Sequence, residues 1–132
     1  MGEGKLKNYI AGRLVEPVGQ QYLDDIDPAT GEVYCHVPDS DERDVEQAVV
    51  AAEAAFPIWS HTPTANRSQI LLKIADLIDA NVERLALAES MDTGKPLSVA
   101  RVSDIPRAAT NFRFFATAIL HFHSQSHMMD DV

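Results

Sequence analysis

The period of the apolar residues changes once along this chain, near Ser40, and that switch constrains the fold more than any single motif. Before it, apolar residues sit in short extended runs separated by turn signals; after it, they recur every three or four residues. Such a chain is predicted to fold in the α/β class, as a few short strands followed by a packed set of helices.

The extended half divides at its turns. Asn8 to Val15 carries apolar residues on either side of Gly12, and Gln21 to Ile26 is a second extended run, which together suggest a small hairpin or meander. Asp27-Pro28-Ala29-Thr30-Gly31-Glu32 is a turn, because Asp bonds the backbone ahead of it, Pro fixes φ and Gly supplies positive φ. Val33 to Val37 is β-branched and aromatic and reaches Pro38, so it reads as a short strand.

In the helical half, Ser40 is the expected N-cap of an amphipathic helix that places Val45, Ala48, Val49, Ala52 and Phe56 on one face and ends at Pro57. A second helix is expected to start at Thr62-Pro63, with Thr62 as cap, and to run its stripe through Ile70, Leu71, Ile74, Leu77, Ile78 and Leu85. Gly94 and Pro96 close it, since Gly accepts the left-handed conformation and Pro discourages continuation. A further helix or helix pair follows from about Leu97, started or kinked at Pro106, with Ala108, Phe112, Phe115, Ala116 and Ile119 at helical spacing. Residues 1–6 read as a flexible leader, 7–123 as the folded part, and 124–132 as a truncated tail without periodicity or capping logic.

Charge and composition narrow the partners. The 132 residues hold 11 Lys plus Arg against 20 Asp plus Glu, a formal net charge of -9. A polyanion would be repelled over most of that surface, so no nucleic-acid partner is expected. No apolar run reaches the length of about 18 residues that a spanning helix needs, and Met1 to Lys7 is polar. No membrane partner or secretory signal is expected, and the single Cys35 fits a reducing, cytoplasmic setting.

Candidate chemistry is sparse. Cys35 is the one thiol, but His36 beside it in a strand points to the opposite face, so a small half-buried apolar role competes with a reactive one. His121, His123 and His127 crowd the C-terminal end, and positions 123 and 127 stand one helical turn apart, as two zinc ligands would. The Glu of a zinc-protease motif is missing, and the same histidines would also ease a helix C-terminus. Thr93-Gly94-Lys95-Pro96 echoes a phosphate-binding loop yet has Glu89 and Pro96 where that loop needs Gly and Ser or Thr. The paired carboxylates Asp24-Asp25, Asp39 to Asp44 and Asp130-Asp131 lie at turns and helix starts, where solvated caps need them. No catalytic constellation is complete.

The order of elements carries more. Asn8-Tyr9-Ile10-Ala11-Gly12, Ile26 to Glu32, and Ala54-Ala55-Phe56-Pro57-Ile58-Trp59 follow one another; then come Arg67 to Leu77, Glu89-Ser90-Met91-Asp92-Thr93-Gly94-Lys95-Pro96, and Asp104-Ile105-Pro106-Arg107 with Asn111 to Ala116. This series resembles the amino-terminal part of the aldehyde dehydrogenase superfamily over about residues 7 to 127. Tyr34-Cys35-His36-Val37-Pro38 and Asn111-Phe112-Arg113-Phe114-Phe115 are most similar to the branch that oxidises 2-aminomuconic and 2-hydroxymuconic semialdehydes.

The resemblance implies the start of a Rossmann-like coenzyme domain, incomplete at 132 residues. In such enzymes a cysteine thiolate attacks the aldehyde, an Asn side chain and a backbone N–H hold the oxyanion, hydride passes to NAD or NADP, and a Glu activates the hydrolytic water. All of those side chains lie beyond Val132, so Cys35 matches no catalytic position. No catalytic or coenzyme-binding residue, and no coenzyme binding by this chain alone, is expected. Full-length relatives are homo-oligomers, and the exposed apolar faces of the shorter chain are expected to self-associate. Some family members hold a structural monovalent cation at positions that here are Asp25, Ile26 and Asp104; a plain N-cap role for Asp104 is the alternative.

Three readings follow. The first is an N-terminal portion of an NAD(P)-dependent aldehyde dehydrogenase, inactive by itself. The second is a non-catalytic helical interaction module derived from that family. The third is a metal-binding protein using the terminal histidines.

Overall fold

The computed structural model describes residues 4–123. Five short strands precede the helices, as the period change requires. Strands β2 (Asn8–Ile10) and β3 (Arg13–Val15) form a hairpin in which Asn8 faces Val15, Tyr9 faces Leu14 and Ile10 faces Arg13. Its two-residue turn places Ala11 at φ 52° and Gly12 at φ 78°, the left-handed pair that matches the strand twist. Strand β4 (Tyr22–Ile26) runs antiparallel to β5 (Val33–Pro38). Their connection is the expected turn: the Asp27 carboxylate accepts the Ala29 N–H at 2.8 Å, and Gly31 lies at φ 75°.

The leader departs from the sequence reading. Gly4 and Lys5 form strand β1 (Gly4–Lys5), parallel to β5, with Gly4 facing Cys35 and Lys5 facing His36, so the three-stranded sheet has the order β1-β5-β4. Main-chain pairing carries no side-chain signature, and Leu6 N–H extends it by donating to the His36 carbonyl at 2.9 Å.

Helix α1 (Glu42–Ser60) is capped by Asp41, one residue later than the expected Ser40. Asp41 and Asp44 form a reciprocal capping box, an arrangement an acidic side chain three residues on can complete and Ser40 cannot. The Ser40 hydroxyl instead bonds Asn8. Nor does the helix end at Pro57. It continues to Ser60, with the His61 ring and the Ser60 hydroxyl both close to the Pro57 carbonyl.

Helix α2 (Thr64–Ala80) has Pro63 as its N-terminal flank, and the Thr62 hydroxyl donates back to Ile58, so Thr62 closes α1 and does not cap α2. The long apolar stripe is broken at Asn81, where α3 (Val82–Thr93) begins, because the Asn81 side chain donates to the Leu77 carbonyl at 2.8 Å and closes the preceding turn. Gly94, at φ 70°, ends α3 as expected. A single short turn, α4 (Leu97–Val99), passes through a π-helical segment (Ala100–Asp104) into α5 (Ile105–Ala118), with Pro106 in its first turn.

The most extensive packing joins α2 to α5. Ala75, Ala86, Ala100, Ala109 and Ala116 are wholly buried, so the helices meet through small side chains that let their backbones approach. Arg113 fastens the edge of this seam, donating to Asp76 at 2.9 Å and Asp79 at 2.6 Å. Helix α1 packs on almost nothing: Val45, Val49 and Phe56, the face expected to be buried, are exposed.

Candidate functional site

Polar chemistry gathers where the sheet meets the C-terminal end of α3. On β5, Tyr34 stands where the ladder to β4 is irregular, with Cys35 facing Asp25 and Val33 facing Ile26, and both Tyr34 and Cys35 reach Asp25. The Tyr34 hydroxyl donates to Asp25 Oδ2 at 2.9 Å and lies 3.1 Å from Asp92 Oδ1 on α3. The Cys35 thiol donates to the same Asp25 oxygen at 3.4 Å. Burial, then the Asp25 carboxylate, push the Cys35 thiol up from its ordinary value, and burial with the two carboxylates pushes Tyr34 up as well. A buried thiol held protonated is the reverse of an activated nucleophile. His36 turns away and bonds Asp24 at 3.0 Å, which confirms that it does not serve Cys35.

A second cluster lies next to the first. Lys95 Nζ stands 2.5 Å from Asp104 and 3.7 Å from Glu89, while Arg107 reaches the other Asp104 oxygen at 3.3 Å. The Asp104 contact holds the lysine above its ordinary pKa. The Ser90 hydroxyl donates to the Lys95 carbonyl at 2.6 Å, fixing the loop, and Gly94 packs closely on the turn, since a Cβ there would lie 3.0 Å from the Pro28 side chain. The run from Glu89 to Pro96 therefore works as a joint between turn, helix and π segment, and the phosphate-loop echo in it has no structural counterpart.

Of the three cation candidates, Asp104 lies within helical backbone without a capping hydrogen bond, so it is not a plain N-cap. Its carboxylate holds Lys95 and Arg107, and no hydrogen bond or ion pair among the described residues joins it to Asp25 or Ile26. Ile26 pairs with Val33 at an irregular point of the β4–β5 ladder. Of the terminal histidines, His121 and His123 are exposed and His127 lies outside the described residues, as do Asp130 and Asp131. Among the described residues no three metal-binding side chains converge.

Two features escaped the sequence reading. Asp44, read there as one of the carboxylates of a solvated cap, is buried and accepts the Val18 N–H at 2.9 Å and the Asp41 N–H at 3.0 Å, tying α1 to the loop after the hairpin. The spacing of Asp41 and Asp44 was the available signal. The other is a cavity of about 450 Å³ at one end of the α2–α5 seam, lined by Thr64, Arg67, Phe115, Ala118, Ile119 and Phe122. Arg67 makes no ion pair among the described residues, and its Nε is buried without an acceptor. Nothing in sequence spacing brings positions 64 and 122 together.

A three-stranded sheet followed by helices packed through alanines defines a mixed α/β architecture. The aldehyde dehydrogenase family matches residues 14–131, and the chain belongs to that family. It is 52% identical over 125 residues to 2-aminomuconic semialdehyde dehydrogenase of Bos taurus, covering 95% of this chain and 25% of that protein. Among solved structures, PnpE in complex with nicotinamide adenine dinucleotide matches 98% of this chain and 26% of its own, with 35% identity and a TM-score of 0.91. The NAD+ complex of aldehyde dehydrogenase from Bacillus cereus matches 96% of this chain and 26% of its own, with 34% identity and a TM-score of 0.90. The chain thus spans about a quarter of the length of these relatives. Among the described residues no helix is long and apolar enough to cross a membrane.

Proposed function

We propose that this chain supplies the N-terminal quarter of an NAD- or NADP-dependent aldehyde dehydrogenase acting on a semialdehyde, in the cytoplasm, and that the 132 residues alone turn over no aldehyde. The observation that carries the reading is the agreement of nearly the whole chain with about a quarter of PnpE. The identity to a 2-aminomuconic semialdehyde dehydrogenase supports the substrate class.

The residues present do not suit the coenzyme. A dinucleotide, when bound, accepts hydride, and its pyrophosphate needs a glycine-rich turn between a strand and a helix in a parallel sheet. Here β5 leads to α1 through Asp39, Ser40 and Asp41, whose carboxylates would repel a pyrophosphate. Cys35 is buried on an acidic partner that disfavours its thiolate. What these residues do contribute is the Tyr34 bridge from Asp25 to Asp92, which ties the sheet to α3, and the Lys95–Asp104 pair, which ties the end of α3 to the π segment. We further propose that the Lys95 ammonium meets the charge of Asp104 where some relatives use a monovalent cation, since Lys95 and Arg107 leave that carboxylate little field for an ion.

The test is coenzyme reduction with a panel of aldehydes and semialdehydes, using NAD and NADP. No turnover is expected from the 132 residues, and turnover is expected when they replace the matching quarter of a relative. Thiol-sensitive reduction by the chain alone would sink the proposal. The interaction-module reading rests on the bare face of α1; a concentration-independent dimer with sharp unfolding in light scattering and calorimetry would favour it.

A further inference from the structure

We draw no further inference here: the strongest candidate, the cavity at the end of the α2–α5 seam where Thr64 and Arg67 meet Phe115 and Phe122, carries nothing, because nothing in the structure shows what covers it.

Discussion

Along α1, Val45, Val49 and Phe56 stand 59%, 45% and 66% exposed, whereas along α2 and α5 the alanines Ala75, Ala109 and Ala116 are completely shut away. Both regions carry an apolar stripe at helical spacing, and among the described residues only one of them has a partner. The larger side chains are the exposed ones. A stripe states which face of a helix would gain from burial, but small residues decide where two backbones come close enough to bury anything. Helix α1 is held at its N-terminal end instead, by the Asp41–Asp44 box and the Asp44 bond to Val18.

This contrast can be broken by overfilling the seam. Ala75→Leu should cost about 1–3 kcal/mol, because added methylenes at a closed contact force the helices apart. Ala48→Leu, the same change on exposed α1, should fall within about 0.5 kcal/mol. Urea unfolding of the two variants checks both, and equal costs would mean that α1 is packed in solution.

The joint between the two halves comes next. Gly94→Ala places a Cβ at φ 70°, a conformation costing about 1–2 kcal/mol for an L-residue, and sets it 3.0 Å from Pro28. The expected result is a loss of at least that size, with faster hydrogen exchange in both the Asp27–Glu32 turn and the end of α3. Exchange confined to α3 would show that the turn does not depend on the joint.

Smaller effects sharpen the account of α1. Asp41→Ala removes the half of the capping box that its own carboxylate makes, leaving its N–H on Asp44, and should raise exchange in the first turns of α1 on the order of fivefold, leaving α2 and α5 unchanged. Uniform acceleration across all helices would contradict a separately held α1. The smallest effect is on pH. The Arg43 guanidinium holds the Asp41 carboxyl below its ordinary range. A depressed carboxyl gives a contribution complete above its unfolded value of about 3.9 and lost as pH falls through the lower folded value. Helicity of α1 should fray over that acid window, and Asp41→Asn, which keeps a capping oxygen but does not titrate, should flatten the change in an acid titration followed by circular dichroism.

The residues themselves determined much of this protein. Strands before helices, the Asp27–Glu32 turn, the Gly94 stop and the Pro106 restart each rest on a local backbone preference, and local preferences are written in consecutive residues. The ordered series from Asn8 to Ala116 likewise carries the family resemblance in consecutive residues, and the family match covers residues 14–131. Tertiary structure alone decided the rest. That Gly4 and Lys5 join the sheet, that Lys95 answers Asp104, that Asp25 gathers Tyr34 and Cys35, and that Thr64 meets Phe122 around a cavity all depend on distant segments meeting. So does the bareness of α1, since an apolar stripe records the need for a partner, while the free energy of burying it exists only where a second surface is brought against it.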